Sequence, residues 1–372
     1  MTNSRRKIKE EKTDKTAKAL KSADSSTAVI NVKKATKRKP SYLKPKRKTT
    51  FKFIDLFAGI GGFRIALQSL GGNCVFSSEI DKYARQSYEV NFGDDPNGDI
   101  REIDEKDVPD HDILCAGFPC QTFSIAGKRL GFEDTRGTLF FEIARIIREK
   151  RPRAFFLENV KGLLNHNGGR TLTVILDVLR NDLGYFVPDP RIMNAKNFGV
   201  PQNRERIFIV GFSRKSGVSD FDYPKPLKKS VCFADIKEKI VPSAKYFLST
   251  QYWSSLQAHK LRHKLKGNGF GYEIIPDGGT ANAVVVGGMG RERNLVYDDR
   301  LEDFTPLTHI KGEVNREGLR KMTPREWARL QGFPDEFKIV VSDVQAYKQF
   351  GNSVAVPAIK ATAAVIVMNL NF

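Results

Sequence analysis

Apolar and polar positions divide the chain into stretches of different rhythm. From Phe51 to about Gly211, short apolar runs alternate with segments of helical spacing. Residues 51–57 read as a buried strand, 58–62 as a turn, and 63–70 as a helix stopped by Gly71 and Gly72. Further strands are expected at 74–79, 112–116, 154–158 and 207–211. Helices are expected at 81–91, 137–150 and 171–183. Strands alternating with helices predict an α/β domain with a largely parallel sheet over residues 51–211. The rhythm fails over 212–320, which is rich in Gly, Pro and Lys with short β-like runs such as 283–286. A smaller, irregular, β-containing domain is expected there. Helical spacing returns at 323–331, where Thr323 and Glu326 have the spacing of a capping box. A last apolar helix over about 357–370 is expected to pack back on the first domain, so residues 321–372 complete it. No internal repeat is visible.

Residues 1–50 differ from all of this. They are Lys-, Ser-, Thr- and Ala-rich, with 17 Lys or Arg against four acidic residues, and so hold most of the chain's net charge of +19. With few large apolar side chains they cannot offset the entropy of ordering, and disorder is expected. So basic a balance points to a polyanionic partner; aiding solubility is the plainer use of such a tail. No run reaches the roughly 18 apolar residues of a membrane span. The N-terminus also lacks the apolar core of a secretory signal. The four cysteines, Cys74, Cys115, Cys120 and Cys232, form no CxxC pair, so no metal site is expected. A free thiol fits a reducing, cytoplasmic setting.

Three segments carry candidate chemistry. In the first, Asp55-Leu-Phe-Ala-Gly-Ile-Gly-Gly sits between a strand and a helix. Gly59, Gly61 and Gly62 would let a ligand approach the backbone at a helix N-terminus. Glu79 ends the next strand, where a carboxylate can accept from a ribose diol, and Asp99 with Ile100 is placed to hold an adenine edge. NAD and S-adenosylmethionine both fit at this level. In the second, Gly117-Phe-Pro-Cys120-Gln121 brings a thiol to a strand end, with Pro119 stiffening the backbone before it. Glu158 ends the neighbouring strand. A thiolate adding to carbon 6 of cytosine makes carbon 5 nucleophilic, and a carboxyl at N3 offsets the charge that develops. The loop after Cys120 holds Gln121, Ser124, Lys128 and Arg129, a cationic lid suited to DNA. In the third, Arg204 and Arg206 stand two apart on an extended segment and share a face. One can bind the cytosine O2 or a phosphate, and the other a supporting carboxylate. Each residue also has a plain reading: an inert loop thiol, a surface carboxylate, a solvated ladder of arginines.

Segments 55–64, 117–127, 158–160, 202–206, 323–334 and 351–357 follow one another as in the bacterial DNA cytosine-5 methyltransferases, and the chain resembles that family from about Phe51 to Phe372. The resemblance implies a Rossmann-like, S-adenosylmethionine-dependent methyltransferase fold with a smaller, irregular target-recognition domain. It makes Cys120 the nucleophile, Glu158 the acid at N3 and Arg206 a contact to the flipped base, with Arg204 beside it. Phe57, Glu79, Asp99, Ile100 and Leu139 would line the cofactor site, with Gly59, Gly61, Gly62 and Pro119 around them. Asn352 would support the cofactor end of the active-site loop, and Val354 would also contact the cofactor. Ile80 departs from relatives that carry Trp after the ribose-binding Glu, so adenine stacking would fall to Phe57. Residues 266–276 and 286–294 are similar to the HpaII-type branch, which methylates the inner cytosine of CCGG. Arg291 and Arg293 are the candidate readers of guanine O6 and N7, or else hold phosphates.

The resemblance implies duplex DNA as partner and a base taken out of the stack. It also implies restriction–modification work alongside an endonuclease that need not touch the chain, and a monomer in the bacterial cytoplasm, at the nucleoid. A tRNA cytosine-5 methyltransferase would share Cys120 and Glu158 but usually has a shorter recognition region than 212–320. A non-catalytic DNA-binding regulator would have no need of the reactive residues, and a nicotinamide oxidoreductase would explain neither Cys120 nor 202–206. The basic tail lies outside the resemblance and is expected to attract DNA without regard to sequence. Removing residues 1–48 is therefore expected to weaken DNA binding and flatten its salt dependence, measured by titration at several ionic strengths.

Overall fold

Residues 50–118, 139–228, 230–287, 290–304 and 312–372 are described by a computed structural model of the chain. The tail and the segment 119–138 lie outside the described residues. β1 (Phe51–Leu56), β2 (Gly72–Ser78), β3 (Ile113–Gly117) and β4 (Ala154–Val160) pair in parallel. β7 (Glu205–Phe212) runs antiparallel to β4, and β5 (Arg191–Asn194) antiparallel to β7. The six strands lie in the order β2–β1–β3–β4–β7–β5. The expected parallel sheet is present, and its strand at 207–211 is the reversed one. A run so uniformly apolar carries no mark of direction. β5 was not anticipated, because four residues between Pro190 and the turn at 195 show little periodicity.

The alternation of side chains along each strand builds two cores. Phe53, Phe156 and Val210 face α1 (Gly62–Gln68) and α8 (Val356–Asn369) through Leu67, Ile359 and Ile366. Leu114, Phe155, Leu157 and Ile209 face α3 (Leu139–Lys150) and α4 (Arg170–Asp177) through Ile143, Ile147 and Ile175. The last helix thus packs on the first, as its apolar composition implied. The expected helix at 171–183 is α4 followed by a π-turn at Val178–Asp182. Asp81 caps α2 (Lys82–Phe92), accepting from the Tyr83 and Ala84 amides. Thr323 and Glu326 form the expected capping box on α6 (Pro324–Leu330), and Glu326 also pairs with the buried Arg320.

Beyond β7 the strands are short. β8 (Ile274–Ile275), β10 (Leu295–Tyr297) and β11 (Leu319–Lys321) form one small sheet; β6 (Gln202–Asn203) and β9 (Ala281–Asn282) form another. A 16-residue helix, α5 (Thr250–Leu265), stands among them. Sequence reading did not anticipate it, because its apolar residues make no continuous stripe. α7 (Asp343–Asn352) and α8 together are long and apolar enough to meet the length and composition of a membrane span. They are two helices broken at 353–355, and 61% of the apolar window is buried against the rest of the chain, as core helices are.

Gly62 opens α1 where α7 turns into α8. A Cβ there would come within 2.6 Å of Val354 Cγ2 and 3.2 Å of Ser353 Oγ. Overpacking of this kind typically costs about 1–3 kcal/mol. Gly62→Ala is expected to lower the unfolding midpoint and to push the 352–354 turn away from α1, measured by thermal unfolding with and without S-adenosylhomocysteine.

Candidate active site

Parallel register brings the carboxyl ends of the central strands together. Leu56 lies beside Ala116, and Gly117 beside Glu158. β1 stands between β2 and β3, where the connections leave the sheet on opposite sides and ligands of open α/β sheets bind. An open cleft lies there. Phe57, Gly59, Gly62 and Glu79 line one wall, Asn352 and Val354 the other, and Gly117 and Glu158 the floor.

The glycines of the turn have different reasons to be glycine. Gly59 has φ +54°, and a Cβ there would meet no protein atom within 4 Å. It faces open space, as a ligand cradle requires. Gly61, at φ +82°, is glycine for packing: a Cβ would meet Phe92 at 2.3 Å. Phe57 also adopts a positive φ, +56°, which turns the chain out of β1 toward the cleft. Glu79 accepts from the Gly59 amide at 2.8 Å and the Asp81 amide at 2.7 Å, one on each oxygen. Each carboxylate oxygen keeps a further acceptor site for a hydroxyl. The open Gly59 cradle and the acceptor at Glu79 fit S-adenosylmethionine. Gly61, Asp99, Ile100 and Leu139 do not line this cleft. Asp99 caps a short 3-10 turn, and its carboxylate binds Arg101. Ile100 is buried in the core, and Leu139 opens α3. Ile80 is 67% exposed.

Glu158 is 8% exposed, and Arg206 Nε lies 3.1 Å from its Oε1. Arg206 stands two residues beyond the partner of Glu158 on antiparallel β7, on the same face. Burial pushes the Glu158 carboxyl above its ordinary range, while Arg206 and Arg204 pull it down; the burial effect is the larger. A Cβ on Gly117 would sit 3.5 Å from Glu158 Oε2, so glycine keeps this carboxyl accessible from the cleft. Asn159 Nδ2 donates to the Phe118 carbonyl at 2.7 Å, anchoring the chain just before residue 119.

The two arginines of the 202–206 segment divide their work. Arg206 holds the carboxylate. Arg204 is buried and donates to the carbonyls of Val284 at 3.0 Å, Gly351 at 3.1 Å and Ser353 at 2.7 Å. Burial, and Arg206 beside it, push its pKa down to about 9. Arg204 is therefore placed to hold backbone rather than a base or phosphate. Gln202, Gln331 and Asn159 serve the site without having been assigned a role from sequence. The available signal was a large amide set among apolar neighbours, as Gln331 follows Leu330.

Cys120, Pro119, Gln121, Ser124, Lys128 and Arg129 lie outside the described residues. Arg291 and Arg293 are exposed on a 3-10 turn, with the Arg291 guanidinium 5.6 Å from the centre of the Tyr347 ring. Asn294 fixes that turn, accepting from the Asn282 amide and donating to its carbonyl. Among the described residues no group of three or more His, Cys, Asp or Glu is placed to hold a metal ion.

Residues 51–368 match the family described as C-5 cytosine-specific DNA methylase. The chain is 70% identical over 328 residues to the type II methyltransferase M.HpaII of Haemophilus parainfluenzae, covering 88% of this chain and 92% of that one. It is 41% identical over 337 residues to the type II methyltransferase M.HhaI of Haemophilus parahaemolyticus, covering 89% and 98%. The crystal structure of the S. pombe Dnmt2 methyltransferase shares the fold, with a TM-score of 0.66 at 19% identity over 87% of this chain and 100% of that one. The cleft at the strand ends, the buried carboxyl beside it and these matches agree: the chain belongs to the C-5 cytosine-specific DNA methylase family and is an S-adenosylmethionine-dependent DNA cytosine-5 methyltransferase.

Proposed function

We propose that this methyltransferase modifies the inner cytosine of CCGG in duplex DNA and protects host DNA from a partner restriction endonuclease. The specificity rests on similarity to M.HpaII that extends through residues 266–294, where the two candidate guanine readers, Arg291 and Arg293, lie. The partnership rests on the type II relatives. The enzyme acts as a monomer in the bacterial cytoplasm, at the nucleoid, and binds its partner's substrate rather than its partner. Residues 51–211 with 321–372 make the catalytic body, and 212–320 the target-recognition domain.

The observation that carries the chemistry is Glu158, a buried carboxyl held by Arg206 at the floor of the cleft. Bound S-adenosylmethionine supplies an electrophilic methyl group. Phe57, Gly59, Glu79, Asn352 and Val354 hold that cofactor against the strand ends. The Cys120 thiolate adds to C6 of a cytosine taken out of the stack. Glu158, whose carboxyl burial shifts toward the neutral form, donates to N3 and offsets the charge that develops there. Arg206 fixes the carboxyl and faces the O2 edge, while Arg204 holds the surrounding backbone. After transfer, loss of the C5 proton and of the thiol restores the ring. The cationic loop with Gln121, Ser124, Lys128 and Arg129 closes over the site and excludes water.

Methylation of a plasmid followed by bisulfite sequencing tests base and site together. Modification confined to the inner cytosine of CCGG is expected; modification elsewhere overturns the specificity, and no modification overturns the activity. Cys120→Ser is expected to abolish methyl transfer from labelled cofactor while leaving DNA affinity largely intact. Glu158→Gln is expected to slow single-turnover transfer about 10²- to 10⁴-fold. A normal rate in either variant removes the role assigned to that residue.

A further inference from the structure

We propose that the distal half of α5 is a phosphate clamp that grips duplex DNA outside the four-base-pair target. The proposal rests on the DNA-methylating function above.

The helix is built in two unlike halves. Its first turns are anchored: Trp253 and Leu256 are buried with Leu295 and Leu319, and Trp253 Nε1 donates to Glu317 at 2.9 Å. Tyr252 OH donates to Glu292 at 3.1 Å, and Glu292 stands between Arg291 and Arg293. The helix therefore starts on the turn that carries both candidate base readers. From Gln257 to Ile274 no residue is buried, so the far half projects from the body.

That projecting half is cationic. Between Thr250 and Tyr272 there is no Asp or Glu, but there are Lys260, Arg262, Lys264 and Lys266. Lys260 is tied back, its Nζ donating to the Tyr272 carbonyl at 2.8 Å. Arg262, Lys264 and Lys266 are exposed and have no acidic partner among the described residues. Arg262 and Lys266 are like charges at i, i+4, as are Lys260 and Lys264. Such pairs cost a solvated helix a few tenths of a kcal/mol each. A polyanion reverses the sign of that cost. Arg262 and Lys264 lie in the last turn, where cations also suit the helix dipole, but the dipole supplies them no acidic partner.

Position selects the polyanion. At 1.5 Å per residue, Arg262 to Lys266 lie about 15–20 Å from Tyr252 along the helix axis. Duplex DNA rises about 3.4 Å per base pair. A protein that reads CCGG with the Arg291–Arg293 turn therefore has this cluster within reach of phosphates up to about six base pairs away. Leu261 and Leu265, 58% and 79% exposed, lie between the face of Arg262 and Lys266 and the opposite side, which carries Lys264. A second copy of the chain is the competing occupant for them.

The test uses the full chain, the triple variant R262Q/K264Q/K266Q and the charge-conserving R262K/K264R/K266R. Glutamine keeps helix propensity. Affinity is measured on a short duplex of about 12 base pairs and a long one of about 30, each centred on CCGG, at several salt concentrations. Wild type and the charge-conserving variant are expected to bind the long duplex more tightly. The glutamine variant is expected to lose that length dependence, to bind the long duplex about tenfold more weakly, and to lose about 2–3 from the salt slope. Its methyl-transfer rate at saturating DNA is expected to be unchanged. Unchanged length dependence and slope would overturn the clamp, as would lost transfer at saturating DNA. A change in sedimentation of L261Q/L265Q without any change in DNA binding would assign the surface to a second copy and also overturn it. Failure of the methyltransferase reading shows separately, as no methylation by the wild-type chain.

Discussion

A guanidinium buried beneath the cleft ties together segments that no strand or helix connects. Arg204 leaves the main sheet between β6 and β7 and donates to carbonyls from residue 284 and from the 351–353 turn. Gln202 beside it donates to the Leu330 carbonyl and accepts from the Val284 amide. Gln331 donates to Phe350 and accepts from the Val356 amide. Both backbone groups of Val284 are thus held by side chains of one segment, which also holds the Gly351 and Ser353 carbonyls ahead of α8. A carbonyl left unpaired at this depth costs roughly 1–3 kcal/mol, so these bonds act as a set. Lysine cannot replace Arg204, because a single ammonium cannot span three carbonyls with the planar fork of a guanidinium. The wall of the cleft at 352–354 and the segment leading to Arg291 depend on this one buried cation.

Above that knot the cleft is polarised. Glu158 lies where burial favours the neutral carboxyl and Arg206 favours the charged one. A group balanced between these influences can exchange a proton during a reaction near neutral pH. Glu79 is held in a different way, with both oxygens accepting from backbone amides, which suits a fixed acceptor. Asp55, in the same glycine-turn segment, has neither function. It is buried, has no partner among the described residues, and burial raises its pKa well above the ordinary range. Three carboxyls at the strand ends therefore serve as an acid, an acceptor and a core group, separated by burial and by which amides point at them. The cleft mouth is crossed by an ion pair at 2.6 Å between Lys348 of α7 and Asp81 at the cap of α2.

Much of this was legible in the chain. The β1–turn–α1 unit, Glu79 at the next strand end, Glu158 on β4 and the Thr323 capping box all follow from local rules of periodicity, glycine placement and capping. The chemistry assigned to Glu158 was legible because a carboxylate at a strand end is rare among apolar residues. Other features could not be read locally. The reversal of β7 leaves no trace in an apolar run, yet it sets Arg206 diagonal to Glu158. The helix at 250–265 has no continuous apolar stripe, since only its first turns pack. Arg204 and Arg206 look equivalent along the sequence, and their opposite duties come from what lies beneath each.

The sequence by itself determined the α/β alternation, the cofactor turn, the pairing of Cys120 with Glu158 as candidate chemistry, and the excess of positive charge. These depend on residue type and on neighbours within a few positions, where backbone sterics and side-chain period suffice. Only the tertiary structure decided which residues line the cleft, which arginine holds a carboxylate and which holds backbone, and why Gly61 and Gly62 are glycines. Those outcomes depend on burial and on contacts between segments hundreds of residues apart. Local sequence does not encode the solvent a side chain will lose, and that loss raises the pKa of Glu158 and decides the role of Arg204.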